Sequence, residues 1–100
     1  MPGGATGHDP GMAEPRLRFS EHAIDRMLES DIEVDDVEVA LAGGETIEDY
    51  DDGSRLVLGR SGVRPLHVVA AEEGGVVTVV TVYEPDPTRW DAAFRARRRA

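Results

Sequence analysis

The apolar residues of this chain change their period once, at Gly43-Gly44, and that switch sets what the chain can fold into. Before it they recur at helical spacing. After it they run in short segments of strand character. Ser20 is placed to cap the first helix, because its hydroxyl can accept from an orphan amide of the first turn. Phe19 and Ile24 flank that cap as a hydrophobic staple. Ala23, Ile24, Met27 and Leu28 then form one apolar stripe, which ends near residues 29–31. A second helix follows the same plan. Ile32 and Val37 can form a staple around Glu33, and Glu33 with Asp36 resembles a weak capping box. Asp35 and Asp36 sit where the helix dipole favours negative charge, Val34, Val37 and Leu41 line one face, and the paired glycines stop the helix.

Strands are predicted over residues 45–50, 55–60, 65–71 and 76–84, with turns at 51–53, 61–62 and 72–75. Residues 16–19 are a short lead-in that also reads as a strand. The third and fourth predicted strands are apolar on both faces, which places them centrally and covers them on both sides. Pro85 and Pro87 end the sheet, and Trp90 and Phe94 can pack a last turn back on the core. The expectation is an α+β domain: two N-terminal helices packed on a four-stranded antiparallel sheet. Residues 1–15, rich in glycine and proline, are expected to be a disordered tail, with Met12 as an alternative start. Residues 16–94 form the single domain, and residues 95–100 an arginine-rich tail.

One hundred residues suffice for one domain and exclude a multidomain enzyme. Without cysteine there is no disulfide framework, thiolate zinc site or cysteine nucleophile, and a cytoplasmic location is expected. No apolar run reaches the ~18–20 residues that span a bilayer, and no signal peptide is recognisable, so no membrane role is expected. The net charge is −9, but it is segregated. Residues 29–52 hold 11 acids and no base, residues 53–71 hold Arg55, Arg60, Arg64 and His67 without an acid, and residues 89–99 hold five arginines against Asp91. Either the acidic block is a solvated face, or the two basic segments meet and bind an anion.

Three groups could carry chemistry. His22 and Arg26 lie at i and i+4 on the first helix, opposite its apolar stripe, or else form an ordinary polar face. His67 lies in a central strand, either as a satisfied half-buried residue or as a general acid or base, since an imidazole titrates near neutrality. Arg60 and Arg64 flank the turn before it, where a guanidinium could hold phosphate, and Tyr83 ends the last strand. Register decides whether His67 and Tyr83 share a face. An even hairpin loop separates them, and a bulge or odd loop unites them. No metal-ligand spacing and no serine elbow is present, so neither a metal nor a small-molecule cofactor is expected.

The segments F-S-E-H-A-I-D-R-M (19–27), D-V-E-V-A-L (36–41), I-E-D-Y (47–50), L-V-L-G-R (56–60), R-P-L-H-V-V (64–69) and V-T-V-Y-E-P-D-P-x-x-W (80–90) together resemble a bacterial domain-of-unknown-function family, number 4258. That family resembles the RelE/ParE toxin superfamily. The resemblance implies a compact fold with helices against an antiparallel sheet, and a toxin of a toxin–antitoxin pair that cuts messenger RNA on the ribosome without metal. It implies a cognate antitoxin as partner, encoded beside the toxin as a small zinc-finger, helix-turn-helix protein. The family's motif residues fall at His22, Arg26, Arg60, His67 and Tyr83. Where the family has E-R-G-I after the first helix, residues 29–32 read E-S-D-I.

In the nuclease reading His67 or His22 is the base. Arg60 with Arg26 or Arg64 stabilises phosphate charge, and Tyr83 or the second histidine protonates the leaving oxygen. The alternative is a non-catalytic binding module on the same scaffold, a degenerate toxin that meets its partner through residues 29–52. A third reading inhibits a different target, such as gyrase, without cutting RNA.

Overall fold

The computed structural model describes residues 16–98; the predicted N-terminal tail and Arg99 lie outside them. The chain runs β1 (Arg16–Phe19), α1 (Glu21–Ser30), α2 (Val34–Ala42), β2 (Glu45–Asp49), β3 (Arg55–Ser61), β4 (Arg64–Glu73) and β5 (Val76–Tyr83). The strands form one sheet in the order β1-β5-β4-β3-β2. Four strands follow one another as antiparallel neighbours, whereas β1 lies parallel to β5, with Phe19 opposite Val79.

This overturns the expected four-stranded antiparallel sheet. The sheet has five strands and is mixed, although the domain is still α+β. The lead-in is the extra strand. Leu17 and Phe19 alternate with Arg16 and Arg18 as an edge strand should, but four residues show too little period to be counted. Its partner lies about sixty residues downstream, so nothing local announces the pairing.

Both helices cover one face of the sheet. Ser20 caps α1 by accepting the Ala23 N–H at 3.0 Å. The α2 capping box is complete: the Glu33 N–H donates to Asp36 Oδ2 at 2.8 Å, and the Glu33 side chain takes the Asp36 N–H. Helix α1 ends on Asp31 in the left-handed region, φ 56°, which aspartate adopts more readily than most residues. The core joins Ala23 and Met27 of α1 and Val37 and Ala40 of α2 to Leu66, Val68, Val79 and Val82 of the sheet. Only half of the predicted α1 stripe is buried, since Ile24 and Leu28 remain exposed, Leu28 by 78%. Helix α2 rotates Ala40 rather than Val34 onto the sheet, because β3 offers it Gly59. A Cβ on Gly59 would stand 2.0 Å from the Ala40 carbonyl oxygen. The last hairpin turns on Gly74-Gly75, both at positive φ, the signature of a two-residue primed turn. Among the described residues no helix is long and apolar enough to cross a membrane.

Candidate functional site

Strand β5 does not keep one register. Ala70 pairs with Val79, but Val69 pairs with Thr81, so Val80 is an extra residue. This bulge turns over every side chain after it. Val77, Val79 and Val82 face the helices, and Tyr83 lands opposite His67 on the other face. Of the two registers open in the sequence, the bulged one is realised. Ser20 clamps it: its hydroxyl donates to the Val80 carbonyl at 2.7 Å and its N–H to Val79 at 3.0 Å.

Beyond β5 the chain folds over the face away from the helices. Arg89 and Trp90 donate their N–H groups to the Asp86 carbonyl. Residues 90–98 then form an arm, closed by a bridge between Trp90 and Arg97 and by the Arg98 N–H on the Arg89 carbonyl. Its turn places Phe94 at φ 61°, a left-handed conformation that costs a bulky residue about 1–3 kcal/mol. Asp91 holds that turn, accepting the Ala93 and Arg95 N–H groups on its carboxylate and the Phe94 N–H on its carbonyl.

His67 lies beneath the arm with 0% exposure. Its Nε2 is 2.8 Å from the Phe94 carbonyl oxygen, which can only accept, so Nε2 carries the proton. Nδ1, at 3.2 Å, therefore accepts from the Tyr83 hydroxyl. The ring is neutral, and burial holds its pKa below the ordinary value, partly opposed by the Phe94 carbonyl and the Glu48 charge. Trp90 meets the imidazole edge-on at 4.3 Å between centroids.

Glu48 is the acidic end of the cluster. It accepts from the Tyr50 hydroxyl at 2.7 Å and from Arg97 at 3.2 Å. Burial raises the Glu48 carboxyl, but those two bonds and the Arg97 charge outweigh it, so it titrates below its ordinary value. Burial and the same carboxylate push the Tyr50 phenol up to about 12. Burial also raises Tyr83, against the Arg97 charge. The Arg97 guanidinium lies 4.6 Å from the Trp90 ring centroid, and Arg95 pairs with Glu45. Arg95 and Arg97 thus pair with the acidic residues of β2, and Arg95 also lines one hollow with Arg60 of the basic segment before His67.

The other candidates are scattered. Arg64 is committed to the fold: it donates to the Ser30 and Asp31 carbonyls that end α1, at 2.9 Å for Asp31, and pairs with Glu84 at 3.2 Å. Arg60 is exposed and bonds the Val63 carbonyl at 3.4 Å. With Arg95 and Glu45 it lines an open hollow of about 400 Å³. His22 and Arg26 lie on α1, across the sheet from His67, and Arg26 pairs with Glu29 at 3.6 Å. Of the six candidate residues, direct contact joins only His67 and Tyr83.

Sequence reasoning gave no role to Glu48, Tyr50 or Arg97. For the first two the signal existed: at i and i+2 in I-E-D-Y they share one side of an extended segment. Arg97 carried none, because its partner is 49 positions away. Chemically the cluster is a hydrogen-bonded Tyr83–His67 pair beside a Glu48–Arg97 ion pair; His67 is fully buried against Trp90, whereas Arg97 and part of Glu48 remain open to solvent.

No curated protein and no solved structure matches this chain. The family described as Domain of unknown function (DUF4258) matches residues 19–84, from the residue before the Ser20 clamp to the residue after Tyr83. The elements that set the bulged register and seat His67 against Tyr83 are therefore those of the family's domain, and the chain belongs to the DUF4258 family.

Proposed function

We propose that this chain is a non-catalytic protein-binding module that takes a basic partner on its acidic helical face. The observation that carries the reading is the state of His67. It has no exposed surface, and both ring nitrogens are committed inside the protein, so the imidazole has no lone pair for a substrate proton. The binding surface lies on the opposite layer. Asp31, Glu33, Asp35 and Glu38 are exposed on the helix pair, and their side chains make no ion pair among the described residues. Leu28, Val34 and Val39 stand exposed among them. Apolar side chains rimmed by one sign of charge suit a protein partner of the opposite sign. Within the RelE/ParE resemblance this is a degenerate toxin that keeps partner binding, such as that of a cognate antitoxin, without cleavage.

One observation favours the nuclease reading instead. Glu48 with Tyr50, His67, and Tyr83 come from three separate segments of the resemblance and converge under the arm. With the arm lifted, the Tyr83–His67 pair could exchange protons with an RNA substrate as a metal-independent endoribonuclease. The test incubates the purified chain with bacterial total RNA and ribosomes and maps new RNA ends. Intact transcripts are expected. Cleavage that Tyr83→Phe abolishes would overturn the binding reading in favour of the nuclease.

A further inference from the structure

The helix layer leaves a hollow at one end of the sheet. Helix α1 packs on β5 and β1, and α2 on β3 and β4. Leu17 and Val77 lie opposite each other near the start of β1 and β5, beside the last turns of α2. A hollow of about 240 Å³ opens there. Its floor is Leu17, Val57 and Val77, and Leu41 and Ala42 of α2 form one wall. Glu38 and Glu72 stand on its rim with Arg55. Neither glutamate has an ion pair among the described residues.

The size decides what can enter. Small-molecule sites start at about 300 Å³, so this hollow suits one inserted side chain better than a whole ligand. The location decides what must flank that side chain. Glu38 sits one helical turn after Asp35 and Val34, so the hollow continues the acidic helical face.

We propose that this hollow is the anchor site of the binding module: it takes one leucine-, isoleucine- or methionine-sized side chain from a partner segment whose neighbouring lysines or arginines pair with Glu38, Asp35 and Glu72. The inference rests on the acidic-face reading and adds to it the point of insertion. An apolar anchor in a desolvated pocket with charges around it is how most interfaces concentrate their affinity. The charges steer the encounter, and the anchor slows departure.

The experiment titrates the full, isotope-labelled chain with a synthetic amphipathic peptide of leucine and lysine, followed by amide chemical shifts. Its control replaces the leucines with alanine. The expected result is shifts centred on Leu17, Leu41, Val57 and Val77, with about tenfold weaker binding by the alanine peptide. Ala42→Phe, which fills the hollow from its exposed wall, should weaken the leucine peptide by about tenfold and leave the alanine peptide unchanged. Glu38→Lys should weaken both. Binding that Glu38→Lys and Asp35→Lys reduce, but with shifts away from the hollow and indifferent to Ala42→Phe, overturns the anchor and leaves the acidic-face reading standing. Absence of binding to either peptide by the unsubstituted chain overturns both. The shift map is read on the unsubstituted chain, so it decides the point even where Ala42→Phe disturbs the fold.

Discussion

His67→Ala separates a histidine that holds the fold from one that does chemistry. The substitution removes both imidazole hydrogen bonds and strands the Phe94 carbonyl and the Tyr83 hydroxyl, at about 1 kcal/mol each. It also removes the edge-on contact with Trp90, about 0.5–1.5 kcal/mol beyond simple burial. With the cavity left under the arm, the loss comes to about 3–5 kcal/mol. In a domain of this size each kcal/mol moves the midpoint by about 4–8 °C, so thermal unfolding should shift down by at least about 12 °C. Far-UV circular dichroism reports the whole fold, and Trp90 is the single tryptophan, so its emission reports the arm. Tyr83→Phe should cost about 1 kcal/mol, and less in the His67→Ala background, where its acceptor is already gone. Replacing a catalytic residue commonly leaves stability unchanged or raises it, because active sites trade stability for function. A His67→Ala midpoint within about 3 °C of the unsubstituted chain, with unaltered Trp90 emission, would refute the structural role assigned to this imidazole.

Other outcomes follow from the same geometry. Burial lowers the His67 pKa from its ordinary 6.5, so on acidification the unfolded chain takes up the proton first. Stability should be full above about pH 7.5 and fall as the pH drops through 6.5 towards the folded-state value, and His67→Gln should flatten that slope in thermal melts. Arg97→Ala removes the Glu48 bond and the cover over Trp90. It should red-shift Trp90 emission at a cost of about 1–2 kcal/mol, with less salt dependence than the unsubstituted chain, and an unmoved spectrum would mean that Arg97 does not cover Trp90. Gly59→Ala drives a methyl into the Ala40 carbonyl and should cost about 3 kcal/mol or more in urea titrations; a neutral result would mean that α2 is not seated on β3 as described.

Much of this was legible in the sequence where the determinants are local. The Ser20 cap, the Glu33–Asp36 box, the stop at Gly43-Gly44 and the Gly74-Gly75 turn depend on residues within a few positions of one another. Strand β1 escaped the count because its partner is distant and its length too short for a period. Arg64 looked like a phosphate ligand because a guanidinium beside a turn is equally suited to carbonyls, and its true acceptors sit 33 and 34 positions upstream. The candidate site was half visible. His67 and Tyr83 were chosen for their chemistry, but their meeting hung on a bulge, and the Glu48–Arg97 pair joins segments that no spacing connects.

The bulge has a consequence for how β5 stores its fold. The strand reads V-V-T-V-V-T-V-Y; kept straight past Val79 it would turn Thr81 and Tyr83 toward the helices and Val82 away from them, so burial already favours the bulged frame. The Ser20 hydroxyl adds to that preference by holding the Val80 carbonyl while it caps α1. Instruction for one side of the sheet is thus written on the other: a small side chain that never approaches His67 helps select the frame in which a tyrosine, rather than a valine, is dealt to it.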